Sequence, residues 1–289
     1  MREHNSYALP VFYSDLMVAD SGSISPSAAK PKAVVRSWIE RALHIELYDP
    51  EPVTPAQLSL AHDPEFVRQI LACECDNGFG NRSAAVAAAL PYTTGAMLSG
   101  ARHALKNRCA VAAPCSGFHH AEYDQEQGFC TFNGLMVTAL VLEAEGLAKR
   151  VGIIDCDYHY GNGTNGIAHR LQKFDLISHF TAGAHFQEVE DADRFMSSIE
   201  DIVWQFNDCD VILYQAGADP HINDPYGGFL TTAQMKERDR IVFSALRQMN
   251  KPVVWNLAGG YQVERDGSIP KVLEIHDNTA IECIKAFSY

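Results

Sequence analysis

Seven short apolar runs recur along this chain, each separated from the next by a longer amphipathic stretch. That alternation is the rhythm of βαβ units, whose strands lie parallel and bury both faces under helices. Strands are expected at Ala8–Tyr13, His44–Tyr48, Ala110–Ala113, Val151–Cys156, Phe174–Ser178, Val211–Gln215 and Val253–Leu257. Helices are expected at Pro31–Ala42, Pro55–Ala61, Pro64–Ala72, Ser83–Leu105, Asn133–Leu147, Glu188–Phe206, Thr232–Met249 and Pro270–Phe287. Thr54-Pro55, Asp63-Pro64 and Ser268 with Pro270 supply cap-then-proline starts. The expected fold is α/β: a single three-layer domain over residues 1–289, with a mostly parallel sheet of about seven to eight strands flanked by helices. The loop-like stretches Ala19–Lys32 and Asp76–Arg82 do not divide the chain into separate cores.

Composition narrows the function. The chain has 36 acidic against 23 basic residues, a formal charge of −13, which argues against a nucleic-acid or anionic-membrane partner. A cationic substrate such as a polyamine or a lysine-rich peptide is compatible with it. The eight cysteines are scattered, and Cys73-x-Cys75 has neither redox nor zinc-finger spacing, so a reducing, cytoplasmic setting is expected. No signal segment opens the chain and no run approaches membrane-spanning length.

The chemistry is concentrated where strands end. Ile153-Ile154-Asp155-Cys156-Asp157-Tyr158-His159 is an apolar run closing in acid, acid and imidazole at alternate positions. Continued as a strand, it places Asp155, Asp157 and His159 on one face. Val211 to Asp219 is a second buried run that turns on Gly217 to present an acid. Asp157, His159 and Asp219 form a two-carboxylate, one-imidazole set that leaves a position open for water, as catalytic zinc requires, and that also suits Fe²⁺. Singly, each has a plainer reading: an Asp-x-Asp pair serves magnesium or phosphotransfer, and Asp219 could cap a turn. His119-His120, in a Gly-Phe-His-His-Ala loop after a strand, suits a base with a neighbour that tunes its charge. Tyr261 follows Gly259-Gly260, where backbone can approach a ligand closely and a phenol can donate to an oxyanion.

Taken together, these motifs resemble the histone deacetylase and acetylpolyamine amidohydrolase superfamily, and the resemblance spans roughly Pro91 to Tyr261. Gly128-Phe129-Cys130 resembles the family's Gly-Phe-Cys motif, and Asp219 followed by Asp224-Pro225 reproduces its acid with a downstream Asp-Pro. The resemblance implies an arginase/deacetylase-like fold and one zinc held by Asp157, His159 and Asp219. It implies Tyr261 polarising the substrate carbonyl, His120 as base and then acid, and His119 in electrostatic support. Asp155 is implied to orient His119 and to touch a structural potassium ion. Asn162 stands where class I members carry Asp and class II members Asn, so the chain looks class II-like. Phe129 is implied to line an acyl-lysine tunnel, with Gly128 and Gly260 also at the substrate.

The implied activity is removal of an acetyl or other short acyl group from an acyl-lysine or an acylated polyamine. Other readings are deacylation of another small amide, a non-catalytic acyl-binding module, and an arginase-like dinuclear manganese hydrolase. The last would need extra acids for a second metal, and this chain has His221 rather than an Asp two residues after Asp219. The chain departs from the family between Ser178 and Val211, where it is short: the second tunnel phenylalanine and one strand are expected to be cut back, with Phe180 or Phe186 as substitutes. Such a pocket is open, or is completed by a partner subunit in a homo-oligomer. Asp76 is the one candidate for a rim acid.

Overall fold

The computed structural model describes residues 7–288. In chain order the elements are β1 (Leu9–Phe12), α1 (Lys30–Glu40), β2 (Ile45–Tyr48), α2 (Pro55–Leu58), α3 (Pro64–Leu71), α4 (Ala84–Asn107), β3 (Ala110–Ala112) and α5 (Gly134–Ala144). They continue with β4 (Val151–Asp155), α6 (Asn162–Arg170), β5 (Ile177–Thr181), α7 (Ala192–Trp204), β6 (Val211–Gln215), α8 (Thr232–Gln248), β7 (Val253–Asn256) and α9 (Pro270–Phe287). The strands form one seven-stranded sheet in the order β2-β1-β3-β7-β6-β4-β5. Every pairing in it is parallel.

The sheet has two apolar faces because consecutive strand residues point to opposite sides. Val151 and Ile153 on β4, with Val211 and Leu213 on β6, pack under α3, α4 and α5. Ile154, Ile212, Tyr214 and Trp255 face the other way, toward α1, α7, α8 and α9. Trp38 of α1 and Trp255 of β7 are both fully buried, with ring centroids 5.6 Å apart, and they fix α1 against the sheet. Burying large apolar side chains of this kind stabilises by about 1.5–3 kcal/mol each.

Several expected boundaries move for identifiable reasons. The strand expected at Phe174–Ser178 is β5, displaced to Ile177–Thr181. Its register is set by pairing with β4, Val151 opposite Ile177 through Asp155 opposite Thr181, and Phe174 lies outside it, 59% exposed. The helix expected at Glu188–Phe206 breaks into a short 3₁₀ turn at Val189–Asp191 and α7. Helix α6 was not expected at all, because Gly161, Gly163 and Gly166 give its sequence the look of a loop. The strand carrying the acids stops at Asp155, so Asp157 and His159 belong to the turn beyond it and share no strand face with Asp155.

Candidate functional site

The four central strands β3, β7, β6 and β4 all end on one side of the sheet. Beyond β3 come His119 and His120, beyond β4 come Asp157, His159 and Asn162, beyond β6 comes Asp219, and beyond β7 comes Tyr261. Residues distant in sequence thus meet in one crevice outside the carboxyl ends of the strands, the usual ligand position in open α/β sheets.

Asp157, His159 and Asp219 each offer a ligand atom to a cluster whose atoms lie within 4.8 Å of one another. His159 Nδ1 faces both acids, 3.3 Å from Asp157 Oδ1 and 3.0 Å from Asp219 Oδ2. Backbone donors fix the acids: Asp157 accepts from the His159 and Gly259 N–H groups at 2.9 and 2.8 Å, and Asp219 from the Tyr158 N–H at 3.3 Å. Burial would lower the His159 imidazole, but the carboxylates overcome it and raise the group to about 11. Burial, and then the nearby Asp157 charge, push Asp219 up to about 7. Two buried acids crowded on one nitrogen call for a positive charge between them, and this mixed oxygen and nitrogen set fits a divalent metal.

The histidine pair is held from behind. His119 donates through Nδ1 to Asp155 Oδ2 at 2.7 Å. Asp155 is fully buried and also accepts from the Asp157 N–H and, at 3.4 Å, from Gln215 Nε2. Burial works against a charged His119, but Asp155 and then Asp157 raise it to about 9. His120 lies with its ring centroid 4.1 Å from that of His119, and its Nδ1 is 2.6 Å from Asn162 Oδ1. Burial first, and the charged His119 second, lower His120 to about 4.

Tyr261 closes the opposite side. Its backbone N–H donates to Asp224 Oδ2 at 2.8 Å, and its ring stands 5.6 Å from Phe129 and 5.0 Å from Tyr226. Burial raises its phenol well above 10, with Asp219 and Asp157 adding to the effect, so the hydroxyl keeps its proton and can donate. Gly128 has φ of +55°, and a Cβ there would come within 2.5 Å of His120 Cδ2, so only glycine lets this loop close on the imidazole. Gly260 has φ of +135°, and a Cβ there would press on Ala218. His119, His120, Phe129, Asp157 and Tyr261 line one narrow recess. An apolar cavity lined further by Met17, Leu90 and Phe132 shares Gly117, Phe129 and Cys130 with it.

Neither proposed substitute for the second tunnel wall reaches the site. Phe186 is buried against Phe195 and Phe229, and Phe180 stacks on His185. Tyr226 stands 6.4 Å from Phe129 and 5.0 Å from Tyr261. Asp76 is paired with Arg82 at 2.8 Å. Sequence reasoning also missed Lys30, whose buried Nζ donates to the Ala258 and Gly259 carbonyls at 2.6 and 3.1 Å. It missed Glu122 and Gln127, which accept from Asn162 Nδ2 at 2.9 and 2.7 Å. Lys30 gave no signal because it sits in a basic, proline-containing helix start that reads as surface.

A parallel-sheet protein with a metal-ready carboxylate and imidazole cluster at its strand ends is one class of hydrolase scaffold. The particular family follows from comparison. The sequence model of the histone deacetylase domain matches residues 26–187 and 180–272, and the chain belongs to that family, within the histone deacetylase and acetylpolyamine amidohydrolase superfamily. An uncharacterized protein of Picosynechococcus sp. is 28% identical over 243 residues, covering 75% of this chain and 79% of that protein. Histone deacetylase 4 of Caenorhabditis briggsae is 30% identical over 232 residues, which is 67% of this chain but 25% of that longer protein. Among solved structures, the HD domain of HDA15 superposes with a TM-score of 0.76 at 20% identity, covering 98% of this chain and 88% of that one. The acetylpolyamine aminohydrolase from Burkholderia pseudomallei superposes at 0.73 and 16% identity, covering 97% and 99%. Among the described residues no helix is long and apolar enough to cross a membrane.

Proposed function

We propose that the chain is a single catalytic domain that hydrolyses a linear amide, releasing a short acyl group from an acylated amine. The reading rests on one observation above the rest: ligand atoms of Asp157, His159 and Asp219 gather within 4.8 Å, and Asp157 lines a recess together with His120 and Tyr261. These three residues would hold zinc, with Fe²⁺ as the alternative. A potassium ion is not part of the proposal. A divalent ion held there supplies Lewis-acid polarisation of the carbonyl and a lowered pKa for water.

The chain's own groups account for the rest. His120 is the base, because its lowered pKa keeps it neutral and its Nδ1 is engaged by Asn162, which leaves the Nε2 lone pair free. After taking the proton of the attacking water it would return one to the departing amine. His119, kept charged by Asp155, stabilises negative charge developing beside it. The Tyr261 hydroxyl donates to the carbonyl oxygen as that oxygen gains charge. The rings of Phe129 and Tyr261 line the recess with Tyr226 beside them, and would pack against the methylene stem of a lysine or polyamine. The net charge of −13 favours approach of such cationic substrates. The free thiols of all eight cysteines suit a reducing, cytoplasmic setting.

Elemental analysis of purified protein, joined to a hydrolysis panel, tests the reading. Expected are about one divalent ion per chain and turnover of an acetyl-lysine peptide or an acetylpolyamine. A metal-replete protein that hydrolyses no acyl amide in the panel would refute the catalytic reading.

A further inference from the structure

The acids of the site sit on turns that follow neighbouring strands, and one buried side chain reaches both turns from behind. Arg238, on α8, is fully buried. Its Nη1 donates to the Cys156 carbonyl at 3.3 Å and to the Gly217 carbonyl at 3.0 Å. Cys156 immediately precedes Asp157, and Gly217 lies two residues before Asp219. The other side of the guanidinium is tied down as well: Nε donates to Asp239 Oδ1 at 2.9 Å. Asp239 accepts from the Tyr214 hydroxyl at 2.5 Å and from Thr279 Oγ1 at 2.6 Å, so the pair is anchored to β6 and α9.

The turns themselves are in tight contact. A Cβ on Gly217 would lie 2.9 Å from the Asp157 Cα and 2.7 Å from Asp219 Oδ1. Any shift of the Gly217 backbone is therefore felt by both acids. Packing alone does not call for a guanidinium here, since taking its charge out of water is costly and apolar residues of similar volume often serve as well. A rigid planar donor that spans two carbonyls is what arginine supplies and an apolar residue does not.

We propose that Arg238 is a positioning residue that sets the separation of Asp157 and Asp219, and through it the affinity of the site for a divalent ion. This rests on the metal-hydrolase reading above. The guanidinium touches neither substrate nor metal and acts wholly through the backbone of the two turns. Groups at one remove from a metal typically change its affinity by about 10–100-fold when removed.

The test uses Co²⁺ added to metal-free protein, read by its visible absorption, with the Tm of the metal-free protein measured alongside. The parent is read first: a parent that binds no Co²⁺ ends the metal reading itself, before any variant bears on Arg238. The informative variant is Arg238→Met with Asp239→Asn. It removes both buried charges together and leaves residue 239 an amide oxygen that accepts from Tyr214 and an amide N–H that can donate to Thr279 Oγ1, whose own proton can go to the Ile275 carbonyl. Expected is a metal-free Tm near the parental one, a Co²⁺ affinity lower by about 10–100-fold, and an altered Co²⁺ spectrum. Arg238→Lys keeps the charge on a shorter side chain and is expected to weaken Co²⁺ in the same direction, by threefold or more on the order expected for a partial loss. A folded variant with parental Co²⁺ affinity and spectrum overturns the proposal. If neither variant folds, Arg238 is a folding element and the positioning role falls.

Discussion

His120 meets Asn162 through a 2.6 Å contact between Nδ1 and Oδ1, so the partner of this imidazole is a neutral amide. Asn162 is itself oriented, since its Nδ2 donates to Glu122 and Gln127 and its oxygen is thereby turned to the ring. The arrangement puts the His120 proton on Nδ1 and leaves Nε2 as the acceptor toward the recess. Burial and His119 lower the group to about 4, and no carboxylate at position 162 opposes them.

Asn162→Asp therefore changes the pH response with a defined sign. A carboxylate against Nδ1 stabilises the imidazolium and raises the His120 pKa, by about 1–3 units for a close opposite charge. His120 is then protonated over a wider acid range. The acid limb of the kcat/KM profile is expected to move to higher pH, with activity near pH 6 falling more than activity near pH 8. An acid limb that stays in place shows that His120 is not the group titrating.

Tyr261→Phe separates binding from chemistry. The ring keeps its contacts with Phe129 and Tyr226, so stability and KM are expected to change little. Removal of one oxyanion donor lowers kcat by about 10²–10³. Steady-state kinetics on an acetylated substrate, with a melting curve as control, measure both. Full kcat in the phenylalanine variant excludes the phenol from the reaction.

Much of this was readable in the chain, and the parts that were not share a cause. The order of strand-end motifs carried the parallel sheet and the residues that gather in the crevice, because strands and the turns leaving them are local in sequence. The geometry of Asp157 and His159 was not local. The strand stops at Asp155, and these side chains take their direction from the Gly259 N–H and from Asp219, which arrive from β7 and β6. Helix α6 was hidden by Gly161 at its N-cap and by Gly163 and Gly166 within it, all three crowded by close neighbours. A Cβ on Gly163 would fall 2.3 Å from the Ala121 carbonyl oxygen, and one on Gly166 would fall 2.2 Å from Glu122 Oε2. Lys30, Tyr226 and Arg238 act on partners far away in sequence, and no pattern within their own segments marks them.

Lys30 anchors the turn that delivers Tyr261. Its ammonium is buried and donates to the Ala258 and Gly259 carbonyls, while burial lowers its pKa to about 8 against the opposing pull of Asp219 and Asp157. Lys30→Met keeps the volume of the stem and leaves two buried carbonyls without their donor, each worth about 1–3 kcal/mol. Expected are a lower Tm and a kcat reduced by displacement of the Tyr261 turn. A variant with parental Tm and kcat would show that the turn holds itself.

His62 gives the fold an acid-sensitive point away from the reacting groups. It is fully buried, with Nε2 accepting from the Asn133 N–H at 2.8 Å and Nδ1 donating to the Glu122 carbonyl at 2.9 Å. The bond that Nε2 accepts requires the neutral ring, whereas the one Nδ1 donates survives in either state, and burial lowers the pKa to about 4 from an ordinary 6.5. Above pH 6.5 neither the folded nor the unfolded chain protonates it, and stability does not depend on it. As pH falls from 6.5 toward 4 the unfolded chain takes up a proton that the folded chain refuses, so stability falls through that window and levels off below it. The loss from this residue is roughly 2–3 kcal/mol by pH 4. Denaturant unfolding followed from pH 7.5 to 4 is expected to show this decline, and His62→Gln is expected to flatten it while lowering stability at pH 7.5. An equally steep decline in the glutamine variant would move the acid sensitivity to other groups.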